Sequence, residues 1–285
     1  MDNFTVKPDL GLYDPNTYFN KHNSPFDVAA HTHYICESGS HAYGTNTSES
    51  DLDLRGIFLE PLSFVFGLNK IEQISNQDSV EGQAFKNDVC FYSLRRFVAM
   101  AYKNGPHILE MLHCDSKSIH LVTPVMQKLL DHKNKFLSNQ LQYSFGGYAF
   151  TQLMKMKTKI ANHTGRKALI EKYFYDPKLY SHSIRLYRMA KECLLTGKLN
   201  VLRLDAKELL EIRNGKYTYE EAVVFADVTD PKTGKLKTTL VGGFAFEEQQ
   251  KFLAACNQSI LPEHPNFDFI NNLLIDIQRE YYWSI

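Results

Sequence analysis

Two aspartates, Asp51 and Asp53, stand two apart in the segment Ser50-Asp51-Leu52-Asp53-Leu54-Arg55-Gly56. Apolar residues alternate with them. A strand over Leu52 to Leu59 is therefore predicted, with Leu52, Leu54, Gly56 and Phe58 on one face and Asp51, Asp53 and Arg55 on the other. Two carboxylates on one face repel, and neither gains from burial. A cation between them removes the penalty. Oxygen ligands this close suit Mg²⁺, which takes one or two carboxylates and fills its shell with water and substrate phosphates. Upstream lies Glu37-Ser38-Gly39-Ser40-His41-Ala42-Tyr43-Gly44. Gly39 permits close backbone approach. Ser40 offers a hydroxyl and an amide where a helix is expected to begin, a natural place for phosphate. Singly these features read as a solvated strand face and an ordinary turn. In this order they put a phosphate cradle beside a metal pair.

The elements that must hold them are short. One strand is predicted at Thr32 to Glu37 and another at Asp88 to Tyr92. The latter runs into a helix, Ser93 to Lys103, with Leu94, Phe97, Val98 and Ala101 at helical spacing. Asn104-Gly105-Pro106 stops that helix, and a short helix over His107 to Leu112 follows. Beyond Pro124 the pattern turns helical, with candidates at Pro124 to Leu137, Tyr148 to Asn162, His182 to Leu195, Ala206 to Asn214, Tyr219 to Ala226 and Phe267 to Arg279. Asp230 to Gly234 reads as a turn, at a hairpin tip or in a long loop. The expected class is α+β: an irregular segment over 1–26, a catalytic domain over 27–138 with a short mixed sheet and helices, and a mostly helical domain over 139–285.

Charge narrows the function classes. The chain has 285 residues, 44% of them apolar, with 32 Lys plus Arg against 32 Asp plus Glu. A generally basic nucleic-acid coat and an acidic disordered chain are both excluded. The neutrality hides an asymmetry: residues 155–191 hold ten basic and two acidic residues, net +8. Tyr173, Phe174, Tyr175, Tyr180 and Tyr187 are interleaved there, a mixture that suits phosphates and unstacked bases as well as a solvated helix pair. No apolar run approaches the ~20 residues of a bilayer span, and the N-terminus lacks a secretory pattern. Five scattered cysteines without a CxxC pair suggest reduced thiols and no disulfide partner. A cytoplasmic protein with no membrane contact is expected. His31 and His33 read as ordinary strand residues rather than a zinc pair, and His113 with Cys114 lacks a third catalytic partner.

The Gly-Ser turn followed by Asp-x-Asp between apolar residues resembles the DNA polymerase β nucleotidyltransferase superfamily. The likeness extends to the RNA-ligase-associated (RlaP, YcgL-like) group of predicted nucleotidyltransferases. It rests on Ser38 to Thr45, on Ser50 to Gly56, on Asp88-Val89 with Leu94-Arg95-Arg96-Phe97, and on Asn104 to Leu112, where the group commonly has Asn-Pro in place of Asn-Gly-Pro. Tyr175-Asp176-Pro177-Lys178-Leu179-Tyr180-Ser181-His182-Ser183-Ile184-Arg185-Leu186 resembles a further box, and Thr196 to Leu199 with Ile212 to Tyr217 also fit. The matches run from about residue 35 to about 220.

The resemblance implies a polymerase-β-type core and transfer of a nucleoside monophosphate from an NTP to a hydroxyl, with two Mg²⁺ ions, or Mn²⁺ in their place. Asp51 and Asp53 match the paired metal ligands. Asp88 is the choice for a third carboxylate that also helps take the hydroxyl proton. Glu110 is its rival, and is read as an anchoring residue. Gly39 and Ser40 would hold the triphosphate. Ser50 would bond the phosphates or its own loop, and Arg55 would contact phosphate or pair with the carboxylates. Lys178, His182 and Arg185, spaced i, i+4 and i+7, make one helical stripe expected to meet the triphosphate or an RNA end. His182 also suits a buried, hydrogen-bonded site. The favoured acceptor is an RNA or tRNA end held by the basic segment 155–191. A protein hydroxyl (AMPylation), a small molecule, and a binding module without turnover are the alternatives.

Overall fold

The computed structural model describes every residue except 1–4, 7–9, 20–23, 77–86, 158–163, 231–232 and 284–285. The chain forms two compact units. One comprises residues 1–138, 200–203 and 263–285, and the other residues 139–199 and 204–262.

In the first unit the alternating segments become a mixed sheet. Its elements in chain order are β1 (Thr5–Val6), α1 (Val28–His31), β2 (Thr32–Ser38), α2 (Gly39–Tyr43), β3 (Asp53–Phe58), α3 (Leu62–Val65), β4 (Gln73–Ser75), β5 (Asp88–Ser93), α4 (Leu94–Tyr102), α5 (Pro106–His113), β6 (Ile119–Val122) and α6 (Pro124–Asp131). The strand order is β1-β6-β2-β3-β5-β4. Only β3 and β5 run parallel, and the other pairs are antiparallel. Ile35, Leu54, Phe58, Val89, Phe91 and Leu121 share one apolar face with Tyr18, Phe19 and Val28. Against the other face pack α4 and α5, burying Leu94, Phe97, Val98, Ile108, Leu109 and Leu112. Each such side chain contributes about 1.5–3 kcal/mol by leaving water. Asn104 ends α4 at φ 55°. Its side chain then donates to the Phe136 carbonyl at 2.7 Å and accepts from the Ser138 amide at 3.1 Å, so the expected stop is also a tie to the next segment.

The second unit contains α7 (Leu141–Lys157), α8 (Thr164–Tyr173), α9 (Pro177–Thr196), α10 (Ala206–Arg213), α11 (Tyr219–Ala222), β7 (Val224–Thr229), β8 (Leu236–Gly242) and α12 (Phe244–Cys256). Its axis is α9, which packs against α7, α10 and α12. Asp176 caps it by accepting from the Lys178 and Leu179 amides at 2.9 and 3.2 Å, with Pro177 in the first turn. Gly197 closes it at φ 69°.

Four expectations change. The helix predicted over Tyr219 to Ala226 ends at Ala222, because Val223, Val224 and Phe225 lead into an antiparallel β7–β8 hairpin. Of the turn expected over Asp230–Gly234, residues 231–232 lie outside the described residues, and the Gly234 amide donates to the Asp230 carbonyl at 2.8 Å between the two strands. The helix predicted over Pro124 to Leu137 stops at Asp131 and gives way to a 3₁₀ turn over Lys133–Phe136. The last helix, α13 (Phe267–Trp283), belongs to the first unit, where it packs on α4 and α6. The segment read as irregular over 1–26 includes β1, which pairs with β6.

Candidate active site

Strand register assembles the site. Ser38 of β2 pairs with Asp53 of β3, and Asp53 pairs with Asp88 of β5. Directly paired residues point to the same face. Ser38, Asp53 and Asp88 therefore lie in one row across three neighbouring strands, on the face that carries α4 and α5. Arg55 and Cys90 form the next row.

The turn after β2 brings α2 back over that row. Gly39 stands at φ 60°, and a Cβ there would press into the Asp53 carboxylate, 3.1 Å from its Cγ. Only glycine meets both conditions, left-handed backbone and no side chain. The helix closes at Gly44, φ 71°, whose N–H donates to the His41 and Ser40 carbonyls. The half-buried Ser40 thus sits in the first turn of a helix folded onto Asp53.

Asp51 departs from expectation. β3 begins at Asp53, so the exposed Asp51 lies in the preceding loop rather than on the strand face. Strand alternation does not place it beside Asp53. The loop is organised by Ser50, whose hydroxyl accepts from the Thr47 amide at 2.9 Å. Of the two roles expected of Ser50, the structure displays the loop bond. The Leu52 amide donates to the Asn87 side chain at 3.4 Å, which ties the approach to β3 to the approach to β5.

Arg55 pairs with Asp88. Its Nη2 donates to Asp88 Oδ2 at 2.7 Å, and Nη1 donates to the Asp88 and Leu54 carbonyls at 2.9 and 2.8 Å. Burial opposes the guanidinium charge, but the Asp88 carboxylate beside it holds the Arg55 pKa above its ordinary value. The Asp88 side chain is 46% exposed and that of Arg55 17%, so solvent still reaches the carboxylate. Among the described residues, no group of three His, Cys, Asp or Glu side chains is arranged to hold a metal. Asp51, Asp53 and Asp88 offer hard oxygen donors at or just before the starts of two interior strands, β3 and β5, which suits Mg²⁺ in kind. They are not gathered into a closed three-carboxylate cage.

Glu110 has another task. It is buried on α5 and accepts from the Tyr43 hydroxyl at 2.6 Å, which fixes the end of α2. Glu37, next to Ser38, accepts from the Tyr13 hydroxyl at 3.0 Å and bonds His120 Nε2 at 3.1 Å. Burial would raise its pKa, but the His120 and Tyr13 hydrogen bonds bring it below the usual value. The sequence reading gives Glu110 an anchoring role without its partner, and it misses the Glu37–His120 contact. Tyr43 and Glu37 lie inside the quoted motif, but their partners Glu110 and His120 are 67 and 83 residues away.

Lys178, His182 and Arg185 lie on α9 of the second unit, and their spacing does not make one exposed stripe. Lys178 is exposed. His182 is half-buried against the Tyr148 ring. Arg185 is buried at 3% exposure, donating to Met189 Sδ at 2.9 Å and lying 3.1 Å from His182 Nδ1. The segment 155–191 is less free than its charge suggests. Arg188 is held by Asp205, Glu208 and Glu248 at 2.8, 2.7 and 3.1 Å. Lys155, Lys167 and Lys172 are exposed. Lys159 lies outside the described residues, as do the side chains of Lys157 and Arg166.

A family model described as "RlaP: RNA repair pathway DNA polymerase beta family" matches residues 18–231. The chain belongs to the RlaP family. That description places it in the DNA polymerase β family. An uncharacterised 38.9 kDa protein from the nrdC–mobD intergenic region of Enterobacteria phage T4 is 30% identical to this RlaP-family chain over 126 residues. The match covers 42% of this chain and 37% of the phage protein. A nucleotidyltransferase-like protein from Exiguobacterium sibiricum 255-15 aligns over 89% of this chain and 73% of its own at 10% identity. The TM-score of 0.26 is too low for that likeness to bear on the site. No helix among the described residues is long and apolar enough to cross a membrane. The five cysteines are present as thiols.

Proposed function

We propose that this chain transfers a nucleoside monophosphate from an NTP to a hydroxyl at an RNA end, with Mg²⁺ as cofactor. The observation that carries this reading is the row of Asp53 and Asp88 on parallel neighbouring strands, with Gly39 folded onto Asp53.

Asp51, Asp53 and Asp88 are the residues that would hold the metal, which neutralises phosphate charge and lowers the pKa of a bound hydroxyl. Gly39 and Ser40 hold the triphosphate, and the Gly39 backbone fixes its distance from Asp53. The acceptor oxygen forms a bond to the α-phosphorus, the bond from that phosphorus to the bridging oxygen breaks, and pyrophosphate leaves. The hydroxyl proton passes to the Asp88 carboxylate and on to water. Arg55 orients Asp88 before substrate arrives, a positioning role. Exposed lysines of segment 155–191 contribute to binding the acceptor strand.

The test is incubation with each α-labelled NTP, Mg²⁺ and a mixture of RNA, protein and small molecules, followed by separation of the three fractions. Label in RNA that is lost in Asp53→Asn supports the reading. Label in protein or in a small product moves the acceptor to AMPylation or small-molecule nucleotidylation. Nucleotide binding without pyrophosphate release reduces the protein to a binding module.

A further inference from the structure

We propose that the second unit carries a pocket for an unstacked nucleobase of single-stranded RNA, built from Tyr173, Phe174, Tyr217 and Tyr219 with Lys172 and Lys216. The RNA source rests on the acceptor proposed above, but the pocket stands on separate observations. It is an open cavity of about 410 Å³, within the size range of small-ligand pockets.

Phe174 is the telling residue. It follows the end of α8, its amide donating to the Ile170 carbonyl at 2.7 Å, and it stands at φ 64°. Helices commonly end on a left-handed residue, and glycine or asparagine is the usual choice. A bulky residue there is strained. Strain of this kind persists where the ring is needed, but here burial is not the reason, since Phe174 is 71% exposed. The backbone holds an aromatic face out at the cavity rim.

The wall behind it is rigid. Gly215, at φ 84°, leaves its α-carbon bare beneath the Tyr173 ring, where any Cβ would collide with that ring. Tyr217 is stacked on Phe244 at 4.8 Å, and its carbonyl accepts from the Tyr175 hydroxyl at 2.7 Å. The Lys172 ammonium lies 4.7 Å from the Tyr173 ring centroid. Fixed rings beside a lysine are what stack a base and meet its phosphate.

Charge selects among ligands. Glu220 and Glu221 line the same cavity as Lys172 and Lys216, Glu221 capping α11 through the Thr218 amide and Lys216 pairing with Glu211 at 3.1 Å. Two lysines balanced by two glutamates do not suit a triphosphate. They suit a base with a single phosphodiester, which is what a strand presents.

The experiment titrates the full chain into a short single-stranded RNA containing 2-aminopurine, its duplex, and ATP. Variants are Phe174→Gly, which deletes the ring and relieves the backbone, Phe174→Trp, which keeps a ring, and Asp53→Asn. The expected result is quenching of 2-aminopurine by the wild type and by Asp53→Asn. Affinity for the single strand should be about tenfold weaker in Phe174→Gly, restored in Phe174→Trp, and unchanged for ATP. Unaltered single-strand binding in Phe174→Gly overturns the pocket, as does a loss confined to ATP or equal binding of the duplex. Label transfer to RNA that persists while Phe174→Gly binds normally defeats the pocket and leaves the proposed function standing. RNA quenching without any nucleotide transfer does the reverse.

Discussion

Gly39 lays its bare α-carbon against the Asp53 carboxylate, at a backbone angle of φ 60° that other residues avoid. The turn and the acid are one device. A Cβ at position 39 must push the carboxylate aside while straining the turn.

Gly39→Ala is expected to cost about 1–2 kcal/mol of stability from the left-handed backbone. It should also lower nucleotide transfer by about 10²-fold, the effect of misplacing a reacting group by ~1 Å. Thermal unfolding and turnover, measured on one preparation, separate the two effects. Wild-type turnover in this variant would show that the contact is irrelevant to function.

Asp88→Asn and Glu110→Gln should part company. Glutamine can still accept the Tyr43 hydroxyl, so Glu110→Gln should retain activity within about threefold. Asp88→Asn removes the carboxylate that Arg55 orients, and should lose about 10²–10⁴-fold, the usual worth of a positioned acid or base. The opposite pattern would make Glu110 the third carboxylate.

Mg²⁺ should stabilise the wild-type fold, by about 2.7 kcal/mol at 100 times its Kd, and a double Asp51→Ala, Asp53→Ala variant hardly at all. A thermal-shift titration with Mg²⁺ and then EDTA reads this without activity. An identical shift in both proteins would place the metal elsewhere.

Acid should weaken the first unit in a defined window. Burial, with Lys133 nearby, lowers the His113 pKa to about 3, and burial, with His31 nearby, lowers that of His33 to about 4. Both fold neutral, while the unfolded chain protonates near 6.5. The unfolded state therefore binds more protons below pH 6.5, and stability falls from there toward pH 3–4. Glu37, its pKa lowered in the fold, adds stability that is present above its unfolded pKa and lost as pH falls further. Thermal midpoints across pH 3–8 check this, and His113→Gln should flatten the slope between pH 6.5 and 4.

Much of the first unit was legible because its signals are local. The strands at residues 32, 53 and 88 and the helices after Ser93 and Pro106 follow from alternation, helical spacing and the Asn104 stop. Pairing was not legible. Nothing in the spacing says that Asp53 and Asp88 share a register, and the Arg55–Asp88 ion pair follows only from the parallel contact of β3 and β5. β6 was missed because it has four residues with His120 inside them, and α12 because its apolar positions do not form one narrow face. On α9, spacing grouped Lys178, His182 and Arg185. With neighbours on several sides of that helix, the same spacing runs from solvent into the core. The charge asymmetry of 155–191 likewise hid that Arg188 has three carboxylate partners.

The central claim is that the Asp53 row performs nucleotidyl transfer. Its most direct test is pyrophosphate release from NTP with Mg²⁺ and RNA, comparing wild type with Asp53→Asn at matched folding. Release by the wild type that tracks incorporation into RNA, and falls by about 10³-fold or more in the variant, is the predicted result. No release with any NTP, or equal release by both proteins, would contradict it.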